Sequence, residues 1–213
     1  MSIDDVLPTG AVGADSWAPW EQVDLAPVEA AAVAGAGERR RAEFAAGRGC
    51  AHRALRLLGR SDRDFAVGRH DDGSPAWPAG VVGSVTHTDR YAAAAVAHRA
   101  ELAAIGVDAE PAEPLPPGVA ELVCSPEELA WVGARDGQPW DRLLFSAKES
   151  VVKAWAAASG RLLDLREVDV VVDTAGGTFS AGIVGASESG RQLQGRFAWT
   201  GDLILTAIGI PAR

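Results

Sequence analysis

Two short segments of this 213-residue chain space their charged side chains in patterns that could do chemistry. Ile105-Gly106-Val107-Asp108-Ala109-Glu110 reads as the end of a strand, and alternation puts Asp108 and Glu110 on one side with Ala109 opposite. Two carboxylates side by side repel unless a cation sits between them. A hard cation such as Mg²⁺ takes oxygen ligands of this kind, often one or two carboxylates completed by substrate phosphates. The alternative is a solvated acidic strand end. Ser146-Ala147-Lys148-Glu149-Ser150-Val151-Val152-Lys153-Ala154-Trp155 reads as helix, with Glu149 and Lys153 four apart on one face. That spacing also fits a surface ion pair worth at most ~0.5 kcal/mol, or a capping box between Ser146 and Glu149. Phe145, Val151, Val152 and Trp155 make the neighbourhood apolar, however, and charges there need partners.

The lysine count singles out the same helix. The chain has 18 arginines and only two lysines, Lys148 and Lys153, both inside FSAKESVVK. Where arginine has replaced lysine at every tolerant position, the lysines that stay mark sites needing a compact point charge rather than a planar fork. Two further segments could hold an anion. Gly83-Ser84-Val85-Thr86-His87 ends a strand, and His87 reads either as a packed histidine or as a phosphate ligand. In Glu38 to Arg48, the side chains of Arg40, Phe44 and Arg48 recur every four residues along one stripe, with Arg41 on another face. A basic stripe in a chain of net charge -9 points to an anionic ligand. The phosphate-binding loop G-x-x-x-x-G-K-[ST], a G-x-G-x-x-G followed by an acid, and H-E-x-x-H are all absent. Ser150-Val151-Val152-Lys153 matches S-x-x-K, but no S-D-N or K-T-G follows. Phosphate would therefore be held by scattered side chains.

The elements that must position these residues follow from pattern. Residues 1–25 read as an irregular start, with Trp17 and Trp20 packing back on the body. Helices are expected over Pro27–Gly37 and Glu38–Leu58, the second burying Phe44, Cys50, Ala51, Leu55 and Leu58 and closed by Gly59. Residues 65–83 are loop-rich, and strands follow at Val81–His87, Tyr91–His98 and Leu102–Asp108, the first two as a hairpin. PAEPLPPG at 111–118 is the clearest linker. Ser125-Pro126-Glu127-Glu128 is a capping box with proline at the first helical position. Trp140–Ser159 is the longest helix, closed by Gly160, and strands are expected at Val168–Asp173, Thr178–Val184, Gln192–Thr200 and Leu203–Ile210. Helix, helix, strands thus recurs in both halves, giving an α+β chain of two similar subdomains, 1–110 and 111–213, related by a pseudo-twofold. Composition sets the outer bounds. With 47% hydrophobic and 23% charged residues the chain is globular. Its 29 acidic against 20 basic residues argue against duplex nucleic acid as partner. Cys50 and Cys124 are too few for a disulfide framework or a four-thiolate zinc site. No apolar run is long enough to span a bilayer and the acidic start lacks a signal-peptide layout, so a cytoplasmic protein is expected.

Four blocks in order, RRAEFAAGRGCAHRAL, GSVTH, GVDAEP and FSAKESVVKAW, resemble the 4'-phosphopantetheinyl transferases of the larger, monomeric Sfp type, and within it the enterobactin-synthesis (EntD-like) branch. The blocks span Arg40 to Trp155, and GVDAE followed by KES-x-x-K is the specific part. The resemblance implies a monomer that transfers 4'-phosphopantetheine from CoA to a serine of an acyl or peptidyl carrier protein, leaving adenosine 3',5'-bisphosphate. It implies an active site between the two subdomains, with Mg²⁺, for which Mn²⁺ can substitute, on Asp108, Glu110 and Glu149. It further implies Glu149 as general base, Lys153 and Lys148 as charge-neutralising catalytic groups, and Arg40, Arg48, Arg69, His70, Thr86, His87, Asp108, Glu149 and Lys153 as CoA contacts. Where relatives often carry a lysine in the loop GRHDDGSP, this chain has Asp72, so either Arg69 or His70 would replace it or the loop would turn differently; Phe145 stands where many members have tryptophan. The branch favours carriers of siderophore or other non-ribosomal peptide synthesis, with fatty-acid and polyketide carriers open. The competing readings are an Mg²⁺-dependent CoA or nucleotide hydrolase and a non-catalytic CoA- or carrier-binding module.

Overall fold

The computed structural model describes residues 2–61, 65–184 and 192–212. The two long amphipathic patterns become two 20-residue helices, α2 (Glu38–Leu57) and α5 (Trp140–Ser159). The short α1 (Pro27–Ala32) precedes α2. Between α2 and α5 lie α3 (Ala120–Val123) and α4 (Pro126–Gly133), the latter starting with the expected Ser125/Glu128 capping box. Gly160 ends α5 at φ 70°, a conformation that costs glycine nothing.

The strands are β1 (Ala11–Trp17), β2 (Gly68–Arg69), β3 (Pro75–Ala76), β4 (Val81–His87), β5 (Tyr91–His98), β6 (Leu102–Pro111), β7 (Val168–Asp173), β8 (Thr178–Ile183), β9 (Leu193–Thr200) and β10 (Leu203–Pro211). They form an antiparallel sheet β1-β5-β4, a five-stranded sheet β6-β10-β9-β8-β7 and the small ribbon β2-β3. In each half one long helix lies on one sheet: α2 on β5 and β1, α5 on β6 and β10. The α+β expectation of two sheet-containing subdomains is met.

Two expectations are corrected. The irregular start contains β1, which pairs with β5 from Ala11↔Ala97 to Trp17↔Tyr91; its sequence AVGADSW lacks the β-branched density that would have marked it. The boundary at 110/111 gave the Asp108 strand to the first half. Instead β6 pairs along its whole length with β10, from Pro111↔Leu203 onward, and so belongs to the second sheet. β6 follows β5 in sequence and packs against it through side chains, but its ladder partner is β10, near the far end of the chain.

The two sheets meet at β4 and β6, and no backbone ladder joins them. Instead the Ser84 hydroxyl accepts from Val107 N (3.1 Å) and the Thr86 hydroxyl accepts from Ala109 N (3.1 Å). Both partners advance together, so the strands run side by side in the same direction. Hydroxyls thereby satisfy the edge of β6 that a ladder would otherwise occupy. Alternation on β6 then sorts its side chains. Ile105, Val107 and Ala109 enter a core shared with Ala93, Ala95 and Ala97 of β5 and Leu205 of β10. Gly106 and Asp108 face the other way, toward α5. The approach there is close: a Cβ on Gly106 would lie 1.8 Å from Ser150 O. Glycine at 106 is what lets the α5 backbone rest on β6.

Candidate active site

Asp108 lies at this joint, 4% exposed, with both carboxylate oxygens engaged. Lys153 Nζ donates to its Oδ1 at 2.6 Å and to Val107 O at 3.2 Å. The Thr86 hydroxyl donates to the same Oδ1 at 3.3 Å, and the Ser146 hydroxyl donates to Oδ2 at 2.9 Å. Thr206 on β10 fixes Ser146 in turn, donating to its backbone carbonyl at 2.9 Å. β4 and α5 therefore both contribute groups to the one β6 carboxylate, and β10 steadies Ser146 behind it.

Glu149 and Glu110 flank it. Glu149 makes no hydrogen bond or ion pair among the described residues. Burial pushes its carboxyl above the usual range, Asp108's charge pushes the same way, and Lys153 opposes. Glu110 is raised first by burial and then by Asp108, against the pull of Arg142. Arg142 Nη1 donates to Glu110 Oε2 at 2.8 Å. Asp108's charge adds to burial in raising both carboxyls, the repulsion that a cation relieves.

That donor set, three carboxylates of which one is half-buried and unpartnered, fits a hard divalent cation. As the side chains stand, no three acidic, imidazole or thiol groups among the described residues converge on one point. The reason is visible: Asp108 leans to Lys153 and Glu110 to Arg142.

The α5 contribution is a single stripe. Arg142, Ser146, Glu149 and Lys153 are spaced four, three and four, which is one helix face. Sequence reading found Glu149 and Lys153 but passed over Arg142 and the hydroxyl role of Ser146; extending the same spacing toward the N-terminus would have found both. It would also have excluded Lys148, which is one position and some 100° round from Glu149. Lys148 is fully buried on another face, where Nζ meets Glu128 Oε2 (2.7 Å), Val123 O (2.8 Å) and Leu165 O (3.2 Å). Glu128 also accepts from Ser125 N and Val170 N. The expectation that Lys148 aids catalysis is thus corrected: its ammonium ties together α3, α4, α5 and β7, away from Asp108.

The basic stripe of α2 reaches the joint from the first half. Arg40 Nη1 lies 2.7 Å from His87 Nε2. His87 is held below its usual value by burial and then by Arg40's charge. Arg48 is 4% exposed, stacks 4.3 Å over the Phe44 ring and donates to Gly68 O at 3.1 Å, but its Nε has no partner. Burial lowers Arg48 to about 10, with Arg69 and Arg40 pushing the same way against Glu29. Three arginines that feel one another, with an N–H left over, suit an anion. Arg69 is exposed and donates to Gly73 O, and His70 is exposed beside it. Asp72's carboxylate accepts from Ser74 N (2.9 Å) and Ser74 Oγ (2.6 Å) and so closes its own turn, bonds that also favour its charged form.

Comparison with known proteins gives a consistent answer. Residues 28–97 match the family model of the 4'-phosphopantetheinyl transferase N-terminal domain, and residues 104–201 that of the 4'-phosphopantetheinyl transferase superfamily. The chain is 44% identical to 4'-phosphopantetheinyl transferase Svp of Streptomyces mobaraensis, over 97% of this chain and 88% of that one. It is 38% identical to 4'-phosphopantetheinyl transferase Npt of Nocardia iowensis, over 97% and 98% of the two chains. Against 4'-phosphopantetheinyl transferase PptT of Mycobacterium tuberculosis the identity is 37%, over 85% and 84%.

Proposed function

Because the chain belongs to the 4'-phosphopantetheinyl transferase superfamily, we propose that it moves 4'-phosphopantetheine from CoA to a serine of an acyl or peptidyl carrier protein, with the chemistry centred on Asp108, Glu149 and Lys153. The observation that carries the reading is the unpartnered Glu149 carboxylate beside the Asp108–Lys153 pair.

The roles follow from position. Glu149, whose carboxylate has no other partner among the described residues, takes the proton from the carrier serine, directly or through water. The serine oxygen then forms its bond to the β-phosphorus of CoA as the bond from that phosphorus to the bridging oxygen breaks. Adenosine 3',5'-bisphosphate leaves with the electron pair. Lys153 stands ready to meet the charge that develops on the leaving phosphate, with Asp108 holding its ammonium in place until then. Asp108, Glu110 and Glu149 would hold Mg²⁺, which supplies charge neutralisation to the transferring phosphoryl group. Arg40, Arg48 and His87 hold the phosphates of CoA, with Arg69 and His70 at the exposed rim and Thr86 orienting Asp108. Carriers of siderophore and other non-ribosomal peptide synthesis, as in the enterobactin branch, are the first substrates to try; polyketide and fatty-acid carriers follow. Among the described residues no helix is long and apolar enough to cross a membrane.

The test is intact-mass analysis of several apo carriers incubated with CoA, Mg²⁺ and the protein. A carrier gaining the phosphopantetheine mass, lost with Glu149→Gln and with chelator, is the expected result. Release of free phosphopantetheine from CoA without any carrier would replace transfer by hydrolysis.

A further inference from the structure

Arg142, the N-terminal member of the α5 stripe, has no role in the metal or CoA sets above, yet its guanidinium donates three hydrogen bonds. Its Nη1 donates to Glu110 Oε2 (2.8 Å), its Nε to Glu113 O (3.0 Å) and its Nη2 to Pro114 O (3.0 Å). The side chain is only 16% exposed and its partner Glu110 only 20%. Asp141 beside it completes the clasp: one oxygen accepts from Leu115 N at 2.9 Å, the other from Arg142 N at 2.8 Å. The guanidinium is thus fixed on two edges by linker carbonyls and presents its third to Glu110. A lysine could not do this, since it lacks the fork. Only Oε2 of Glu110 is taken; Oε1 has no partner among the described residues.

We propose that Arg142 is a positioning residue that holds Glu110 by one oxygen and leaves the other for the divalent cation, and so sets the cation affinity of the site. The inference rests on the Asp108–Glu110–Glu149 metal reading above. Carboxylates that bind metals are themselves commonly hydrogen-bonded, and losing such an outer partner typically costs about 10- to 100-fold in affinity. Arg142 also stands on the same α5 face as Ser146 and Glu149, so one helix orients all three carboxylates: Ser146 bonds Asp108, Arg142 bonds Glu110, and Glu149 is its own.

A purely structural clasp of the 113–115 segment would look similar in a stability assay. The experiment therefore reads cation binding directly. Mn²⁺ is titrated by electron paramagnetic resonance into the full chain with CoA but no carrier, so that no turnover occurs, for wild type, Arg142→Ala, Arg142→Lys and Asp141→Ala. Arg142→Ala should weaken Mn²⁺ binding by about 10- to 100-fold and Arg142→Lys by less. Asp141→Ala, which loosens the linker but spares the Glu110 bond, should stay within a few-fold. CoA affinity in chelator should be equal in wild type and Arg142→Ala. In turnover, the Mg²⁺ concentration at half-maximal rate should rise for Arg142→Ala while kcat at saturating Mg²⁺ stays within a few-fold. Unchanged Mn²⁺ affinity in Arg142→Ala, or an equal loss in Asp141→Ala, overturns the proposal. A wild type that binds no Mn²⁺ overturns the metal reading itself. Should circular dichroism show that Arg142→Ala is unfolded, Arg142→Lys decides by the same criteria.

Discussion

Lys148 and Lys153 share one helix and have opposite surroundings. Lys153 is 31% exposed and meets Asp108 at the joint of the sheets, whereas Lys148 is fully buried with Glu128 and two carbonyls. Removing one partner of a buried, hydrogen-bonded pair leaves an uncompensated charge and costs about 3–5 kcal/mol. Lys148→Met is therefore expected to lower the denaturation midpoint strongly while the folded fraction keeps its rate. Lys153→Arg should do the reverse, losing on the order of 100-fold in kcat with its melting temperature nearly unchanged. Melting curves beside turnover on the same preparations separate the two. Equal effects at both positions would return Lys153 to the ordinary surface ion pair. The scarcity of lysine does not say what each ammonium is for: one supports catalysis in the proposal, and the other is bonded inside the fold.

At the scale of elements, much of the order was legible because period and punctuation agree. β4, β5 and α5 stand where alternation, the Thr-Asp-Arg turn and Gly160 put them. β1 and the allegiance of β6 were not legible, since they depend on pairings across 74 or more positions that no local pattern encodes. The side-by-side placement of β4 and β6 was equally hidden: Ser84 and Thr86 look like ordinary strand residues until their hydroxyls are seen to replace a ladder. Gly106 is the element-scale determinant of the site. Its missing Cβ lets α5 rest on β6 and bring Ser146 and Lys153 to Asp108. Gly106→Ala has backbone, not a flexible tip, in its way, so it should destabilise by about 3 kcal/mol, the upper part of the overpacking range, and reduce turnover even in the folded fraction. A Gly106→Ala protein as stable and active as wild type would mean that the helix does not sit this close. A second element-scale latch lies under α1. Burial by itself would raise the Glu29 carboxyl, but hydrogen bonds from His52, Val67 N and Ala26 N outweigh it and lower the value. Its stabilisation is therefore complete above the unfolded carboxylate range, near pH 4.3, and is lost as pH falls through the lowered folded value. Glu29→Gln should be less stable than wild type at neutral pH, and the gap should narrow on acidification; urea melts from pH 7 to 3 would show it.

For the whole molecule the decisive quantity is charge. Carrier proteins of the implied kind are acidic around the modified serine, and this chain carries -9. Long-range attraction between the bodies is therefore weak or repulsive, and docking must come from a local patch. The stretch Glu121 to Trp140 looked apolar enough in sequence to supply one through Leu122, Val123, Leu129, Trp131 and Val132. The fold divides that set: Val123 is buried, and Leu129, Trp131 and Val132 pack against the second core. Only Leu122 is left outward, 64% exposed, with Arg166 anchoring its carbonyl at 2.8 Å. A docking contact on this face thus centres on Leu122, and Leu122→Asp should raise the carrier's KM by about tenfold, a 1.4 kcal/mol change, with the KM for CoA untouched. Salt separates this from a charged interface. An apolar contact between two acidic bodies should show a carrier KM that stays flat or falls as ionic strength rises through the range in which surface charges are screened. CoA, held by Arg40 and Arg48 in the proposal, should show the opposite trend. A carrier KM that climbs steeply with salt, together with an indifferent Leu122→Asp, would move docking to the basic N-terminal turn of α2, where Arg39, Arg40 and Arg41 are exposed beside His87.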